Sequence, residues 1–239
     1  VYACADGPVA LRAWQAARRA GLPFVTQLND WYPGGLDTSA RVQPALIRRF
    51  QRMLRDCEVT LCASPEILAV AGSPPSARLL FPIRDSIAPP ASAPAIPLER
   101  TPAALFAGRF DHFLGAEMKA LLRAARDTGR AHLVRIIGPD QHWDQETREL
   151  AGPFYGGMLK GADLQAALSS AAVLLVLAPF SAGCEHIAHS SFPCKITDYC
   201  PHSVPILVWG PESCSSVAWA RRTGAAITVT NPAPSAVLD

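Results

Sequence analysis

Short apolar runs alternate with segments of helical periodicity along the chain. The strand-like runs are residues 1–4, 24–28, 58–63, 78–82, 103–107, 133–137, 154–155, 173–178, 206–209 and 225–230. Helical patterns occupy residues 8–21, 42–54, 116–128, 163–171, 195–200 and 215–222, and a further helix opens at residue 64. Because crossover helices return a chain to the same edge of a parallel sheet, this alternation predicts an α/β fold with parallel sheets.

Residues with special backbone preferences mark the ends of several helices. Gly21 and Gly129 can adopt the left-handed conformation that stops a helix. Ser64, followed by Pro65 and Glu66, combines a capping hydroxyl, a first-turn proline and a first-turn acid. The run 173–178 is apolar at every position, as expected for a strand that is covered on both faces.

A proline-rich segment divides the chain. Residues 84–102 contain five prolines, Pro89, Pro90, Pro94, Pro97 and Pro102, which exclude a regular helix or an interior strand and predict a stiff linker. We therefore expect an N-terminal domain over residues 1–83, truncated at its start and with three or four strands. A C-terminal domain with about six strands is expected over residues 103–239.

The composition narrows the function classes. With 239 residues, 49% of them hydrophobic, the chain can bury two small cores, and a net charge of +2 argues against a dedicated nucleic-acid binder. No apolar run approaches the ~20 residues of a membrane span. Arginines concentrate over residues 41–55, where peripheral membrane contact and a solvated helix face are both open readings. Seven scattered cysteines favour a reducing, cytoplasmic compartment.

The loops that follow the strands of the second domain carry candidate chemistry, because doubly wound domains bind ligands there. Gly108 permits backbone amides to approach a phosphate, and Arg109 beside it supplies a forked cation. Gly138 follows the next strand, and Tyr155 with Gly156 precedes the next predicted helix; either loop could face a nucleotide base. A plain surface turn is the alternative explanation for each of these motifs.

The segment 181–199 is the most informative of these regions. A long polar loop follows the buried strand and runs into a short helix, where a doubly wound domain would hold a ribose and a diphosphate. Carboxylates such as Glu185 and Asp198 suit ribose hydroxyls, and Lys195 suits a diphosphate. A cation is unfavourable at a helix N-terminus, so Lys195 indicates a nearby anion; an exposed first-turn lysine is the alternative.

These motifs together resemble a known enzyme family. Residues 193–207 (PCKITDYCPHSVPIL) are similar to the pattern P-x-K-[LI]-x-E-Y-[ML]-A-x-G-x-P-[VI]-[VL] of family-4-like glycosyltransferases. Residues 104–115 (ALFAGRFDHFLG), 133–138, 155–156 with 163–164, 25–30 (VTQLND) and 56–64 (DCEVTLCAS) resemble further segments of that family in the same order. The resemblance implies GT-B architecture, in which two Rossmann-like domains face a cleft.

By this resemblance the chain moves a sugar from a nucleotide diphosphate-sugar to a hydroxyl acceptor, with retention of configuration and without a metal or other cofactor. Arg109 and Lys195 would hold the diphosphate and stabilise it as a leaving group. Asp198 would contact the ribose, and Asp30 would lie on the acceptor side. The expected acceptor is a polysaccharide, lipid-linked or small-molecule hydroxyl, as in bacterial polysaccharide biosynthesis.

Three positions depart from the family pattern. Ser190 stands where the first glutamate of the Glu-x7-Glu pair is expected, and Glu185 could replace it only after a loop shift. Leu114 and Ser203 replace a lysine and a glycine. These changes leave open a catalytically inactive GT-B protein that serves as a binding or scaffold subunit, and an epimerase on the same fold is a weaker rival. A zinc site is a further alternative, without standard ligand spacing, on Cys184, His186, His189, Cys194, Cys200 and His202.

Overall fold

The computed structural model describes residues 1–34, 41–80, 101–110 and 112–239. The strands are β1 (Tyr2–Cys4), β2 (Val25–Leu28), β3 (Val59–Cys62), β4 (Ala77–Leu79), β5 (Thr101–Ala107), β6 (Val134–Ile137), β7 (Ala171–Leu177), β8 (Ile206–Trp209) and β9 (Ile227–Val229). The helices are α1 (Val9–Arg19), α2 (Gln43–Arg55), α3 (Pro65–Val70), α4 (Gly115–Asp127), α5 (Gln145–Ala151), α6 (Gly161–Ser170), α7 (Glu185–Ser190), α8 (Lys195–Tyr199), α9 (Ser215–Thr223) and α10 (Ser235–Leu238). The predicted α/β class is confirmed.

The described chain forms two compact units. The first comprises the described residues of Val1–Pro82 with Ala182–Phe192 and Ser213–Ser215. The second comprises the described residues of Ile83–Ser181 with Pro193–Glu212 and Ser216–Asp239. Two short segments thus belong to the first unit although they come late in the sequence. Most of the predicted linker over 84–102 lies outside the described residues, so the predicted domain boundaries stay a prediction.

The first unit is built on a parallel sheet in the order β1-β2-β3-β4. Its core joins the buried positions of the sheet to the apolar faces of α1 and α2, including the fully buried Phe50 and Met53. The predicted helix ends are confirmed here. Gly21, two residues after the end of α1, has a φ of 63°, and the hydroxyl of Ser64 accepts a hydrogen bond from the backbone N–H of Ile67 at 3.1 Å.

The second unit is built on a parallel sheet in the order β6-β5-β7-β8-β9. The chain adds β6 on one side of β5 and then crosses to add β7 on the other, so the strand order switches at β5. Leu174 and Leu175 on β7 are fully buried, as the apolar run predicted. A switch of this kind separates two crossovers and leaves a crevice at the carboxyl ends of the strands.

Strand β5 begins two residues earlier than predicted. The proline-rich pattern places Thr101 and Pro102 in the linker, because proline cannot donate to an interior ladder, yet both belong to this central strand. The pairing with β7 shifts between Thr101 and Ala104, which marks a bulge or similar irregularity. Such irregularities leave a residue outside the regular ladder and so admit a proline within a sheet.

The predicted strand at 154–155 is wrong. Residues Gly152–Phe154 form a 3₁₀ turn, and Tyr155 makes only an isolated parallel bridge to Ile136. The described part of the second unit therefore has a five-stranded sheet instead of about six strands.

Helices α5, α7 and α10 were not predicted. Helix α5 begins at a good N-cap, since Asp144 accepts a hydrogen bond from the N–H of Thr147 at 2.7 Å. Helix α7 lies within the segment that was expected to be a long polar loop. All three helices are short and bury few side chains, so none leaves a clear apolar period in the sequence.

Candidate functional site

A cleft of about 170 Å³ opens in the second unit at the carboxyl ends of β5 and β6. Its walls are the strand ends Ala107, Gly108, Ile137 and Gly138, the side chains of Pro139, Met158, Leu159, Leu164 and Leu168, and Lys195, Asp198 and Tyr199 from α8. The structure thus brings four predicted residues together, Gly108, Gly138, Lys195 and Asp198. The cleft is largely apolar, with a cation and a carboxylate contributed by one helix turn.

Two glycines allow the ends of β5 and β6 to approach each other closely at the floor of this cleft. Gly138 has a φ of 144°, and a Cβ there would lie 2.5 Å from the carbonyl oxygen of Gly108. The N–H of Gly108 donates to the carbonyl of Ile137 at 2.9 Å, and the N–H of Gly138 donates to the carbonyl of Gly157 at 3.1 Å. Only glycine allows the two strand ends to approach this closely.

The Lys195 ammonium is buried in the wall of the cleft. The side chain as a whole is partly exposed, but Nζ itself is buried and has no hydrogen-bond partner among the described residues. Nζ lies 3.6 Å from the centre of the Phe106 ring, which is a cation–π contact. Burial lowers the pKa of Lys195 from its ordinary 10.5 to about 7, because the charged form loses its hydration.

Tyr199 fastens α8 to the end of β5. Its hydroxyl accepts a hydrogen bond from the N–H of Ala107 at 2.9 Å and donates to the carbonyl of the same residue at 3.3 Å. Burial raises the pKa of this phenol well above its ordinary value. The hydroxyl therefore acts as a structural hydrogen-bonding group.

Tyr155 and Gly156 support the neighbouring loop. The Tyr155 hydroxyl donates to the carbonyl of Gly138 at 2.7 Å, and its ring centre lies 4.8 Å from that of Trp143. A Cβ at Gly156 would lie 2.8 Å from Nε of Arg135. Neither residue is among those that line the cleft, so a direct contact with a base stays a prediction.

Arg109 follows Gly108 directly, but its side chain is exposed and does not line the cleft. Arg109 would therefore have to turn toward the cleft to share one diphosphate with Lys195. Its predicted role stays a prediction.

Three further predicted residues belong to the first unit. Asp30 accepts a hydrogen bond from the Ser191 hydroxyl, and Glu185 accepts one from the N–H of Gly183 at 2.7 Å. The buried hydroxyl of Ser190 donates to the carbonyl of His186 at 2.6 Å, one turn back in α7. Helix formation by residues 185–190 corrects the expected polar loop, and the ribose and acceptor roles stay predictions.

Sequence reasoning assigned no role to Phe106 or Tyr199. Tyr199 follows Lys195 by four residues on one short helix, so the spacing alone places the two side chains on the same face. That signal was available in the sequence. The contact of Phe106 with a cation was not, because an apolar residue in a buried strand reads only as core.

The metal alternative finds no support in the described residues, where no group of three or more His, Cys, Asp or Glu side chains is placed to hold an ion. Two of the proposed zinc ligands have other contacts: His202 Nδ1 lies 2.8 Å from the Ser169 hydroxyl, and His189 Nδ1 lies 3.0 Å from the carbonyl of Ser213.

Within the described ranges, no helix is both long and apolar enough to span a membrane.

Solved structures show what this chain is similar to, while no protein-family model and no curated protein matches it. The α,α-trehalose 6-phosphate synthase from Burkholderia multivorans aligns with a TM-score of 0.60 at 14% identity, over 95% of this chain and 61% of that one. An α,α-trehalose-phosphate synthase (UDP-forming) from Burkholderia vietnamiensis gives 0.58 at 11% identity, over 95% and 61%. A protein assigned as UDP-N-acetylglucosamine 2-epimerase from Listeria monocytogenes gives 0.53 at 11% identity, over 100% and 62%.

These similarities identify the fold as GT-B, with its two Rossmann-like α/β units. The predicted fold class is confirmed. Identities this low show the fold alone, and the chain spans about 61% of the length of the synthases. Membership of the family-4-like glycosyltransferases stays a prediction.

Proposed function

We propose that the chain binds a nucleotide diphosphate-sugar in the cleft of the second unit and transfers the sugar to a hydroxyl acceptor. The observation that carries this proposal is the buried ammonium of Lys195 at the wall of the cleft, without a hydrogen-bond partner among the described residues. A buried ammonium without an acceptor costs free energy, since it gives up hydration and gains only the weak attraction of a ring face.

A diphosphate would recover that cost. Its oxygens accept hydrogen bonds from an ammonium, and the flexible four-carbon stem of Lys195 can turn Nζ from the Phe106 ring into the cleft. Gly108 and Gly138 line the cleft beside Lys195 and add no side chain there that would exclude a phosphate. Asp198 on the same wall suits a ribose hydroxyl.

In the proposed reaction, Lys195 stabilises the charge that develops on the leaving diphosphate, with Arg109 as a second cation once it turns inward. These two side chains would replace a divalent ion, so transfer is proposed to be metal-independent. Retention of configuration is proposed from the family resemblance alone. Asp30 is proposed to serve the acceptor, a hydroxyl on a glycan, a lipid-linked sugar or a small molecule. The fold relatives described as synthases of trehalose phosphate support sugar transfer in general.

Isothermal titration against a panel of UDP-, GDP- and ADP-sugars tests the donor site. We expect one of them to bind, and Lys195→Met to weaken that binding roughly 10- to 100-fold, as for loss of a charge-assisted contact. Lys119→Met is the matched control, because Lys119 pairs with Asp144 and Glu146 and does not line the cleft. Failure of every donor at millimolar concentration would contradict the proposal.

Product analysis separates transfer from its rivals. Sugar transfer releases a nucleoside diphosphate and adds mass to the acceptor, and this should persist in EDTA. An epimerase would change the configuration of the sugar, in line with the assignment of the Listeria protein. Tight donor binding without either product would favour a binding or scaffold subunit.

A further inference from the structure

One turn of α8 contacts three successive residues at the end of β5. The Lys195 ammonium covers the ring of Phe106, and the Tyr199 hydroxyl holds both backbone groups of Ala107. A Cβ at Gly108 would lie 3.4 Å from Lys195 Nζ. Lysine and tyrosine four residues apart share one helix face, so the position of one fixes the position of the other.

The hydroxyl of Tyr199 makes the hydrogen bonds to Ala107 that a neighbouring strand would otherwise make. The pairing of β5 with β7 extends to Leu105 and not to Ala107, while the pairing with β6 continues through Ala107. The N–H and C=O of a residue in a parallel strand point to the same side, so those of Ala107 would lack partners beyond the end of that pairing. Tyr199 supplies a donor and an acceptor from a single oxygen.

We propose that Tyr199 is a positioning residue for donor binding: its double hydrogen bond to Ala107 holds α8 so that Lys195 stands beside Gly108, ready to meet a phosphate. This inference rests on the proposed function, because it assigns Lys195 to the phosphate. Tyr199 itself touches no substrate in this scheme and acts only through the lysine.

The test compares Tyr199→Phe, Lys195→Met and the double variant, with inorganic pyrophosphate as the probe. Tyr199→Phe removes one oxygen and keeps the buried ring. We expect it to weaken pyrophosphate binding roughly tenfold. We expect no further loss when it is added to Lys195→Met, because a residue that acts through the lysine has no effect without it. Tyr2→Phe is the control, since that hydroxyl bonds to Gln27 in the first unit.

A second measurement decides the inference even if no phosphate binds. The lysines of the chain are Lys119, Lys160 and Lys195, so carbon-13 lysine spectra are readily assigned with Lys195→Met. Tyr199→Phe should raise the measured pKa of Lys195 by one unit or more, since a released side chain regains water.

An unchanged Lys195 titration in a folded Tyr199→Phe variant would overturn the inference, and so would additive losses in the double variant. A lower melting temperature alone would mark Tyr199 as merely structural. Absence of pyrophosphate and donor binding in the unmodified protein, with the titration shift present, would instead count against the proposed function and leave the positioning by Tyr199 intact.

Discussion

At the scale of single residues, Lys195 gives the cleft a proton-dependent cation. Burial lowers its pKa to about 7, and the nearby Cys194 acts in the opposite direction. Below this pH the side chain is an ammonium that attracts phosphate, and above it a growing fraction is a neutral amine. A bound anion raises the pKa again, so binding above pH 7 requires uptake of a proton.

Donor affinity should therefore fall as pH rises through about 7. The expected loss is up to about tenfold per pH unit until the pKa of the complex is reached. Isothermal titration at pH 6, 7, 8 and 9 in buffers of different ionisation enthalpy measures both the affinity and the proton uptake.

The matched variant for this profile is Lys195→Arg. Arginine stays charged across the range, so the variant should bind with an affinity that varies much less with pH. An unmodified protein whose affinity is flat from pH 6 to 9 would show that the lysine does not titrate in this window or does not contact the anion.

Burial of the Lys195 ammonium should also lower the free energy of unfolding of the protein. Lys195→Met keeps the length of the side chain and removes the charge, so the free variant should be more stable at pH 6 by about 1–3 kcal/mol. Between pH 7 and about 10 the unfolded lysine holds a proton that the folded one has released, so the stability of the unmodified protein rises across that window. Denaturant unfolding at pH 6 and 9 should show the gap between the two proteins narrowing; a constant gap would contradict it.

At the scale of elements, the close approach of two strand ends forms the floor of the cleft. Gly138→Ala would place a Cβ 2.5 Å from the backbone oxygen of Gly108 in addition to straining a φ of 144°. The backbone of Gly108 cannot move away as the end of a flexible side chain could. We therefore expect the free energy of unfolding to fall by about 2 kcal/mol or more, and donor binding to weaken.

Gly157→Ala is the control for that substitution. Gly157 also has a positive φ, 82°, but nothing lies within 4 Å of the added Cβ. Its cost should be about 1 kcal/mol, the strain of the left-handed backbone alone. Equal losses for the two variants in denaturant unfolding would mean that the contact with Gly108 relaxes freely.

The elements predicted from sequence are those with a strong period. Strand β8 and helix α9 were found almost to the residue, and β7 was found because its apolar run permits no exposed face. The errors have a common cause, since short elements depend on tertiary contacts that leave no pattern. Helix α7 buries only Ala188 and Ser190, and the strand through Pro102 depends on an irregular pairing.

The candidate site was predictable in part for the same reason. Gly108, Gly138, Lys195 and Asp198 follow strand ends or open a helix next to one, and parallel strands bring such positions to one edge of the sheet. The hydroxyl bond of Tyr199 and the ring under Lys195 arise from packing between elements distant in sequence. No spacing rule reports them.

At the scale of the whole molecule, the chain leaves the second unit after Ser181 and returns at Pro193. The excursion carries Ser190, which occupies the first position of the family's ribose-binding pair, and Glu185, its possible substitute, into the first unit. A linear motif cannot reveal such a change of unit, because consecutive positions in the pattern need not fold together. Contact between these residues and the donor must therefore be measured in the intact protein.

Hydrogen exchange of the intact protein measures this contact. Donor binding stabilises the segments it touches, and their amides exchange more slowly. We expect protection by the bound donor at residues 107–110, 137–139 and 195–199, which form the cleft of the second unit. Lys195→Met serves as the control and should lose most of this protection at the same donor concentration. Additional protection of 182–192 would indicate that the segment carrying Glu185 and Ser190 contacts the donor, whereas protection of 182–192 without the cleft segments would place the donor outside the cleft and refute the proposed site.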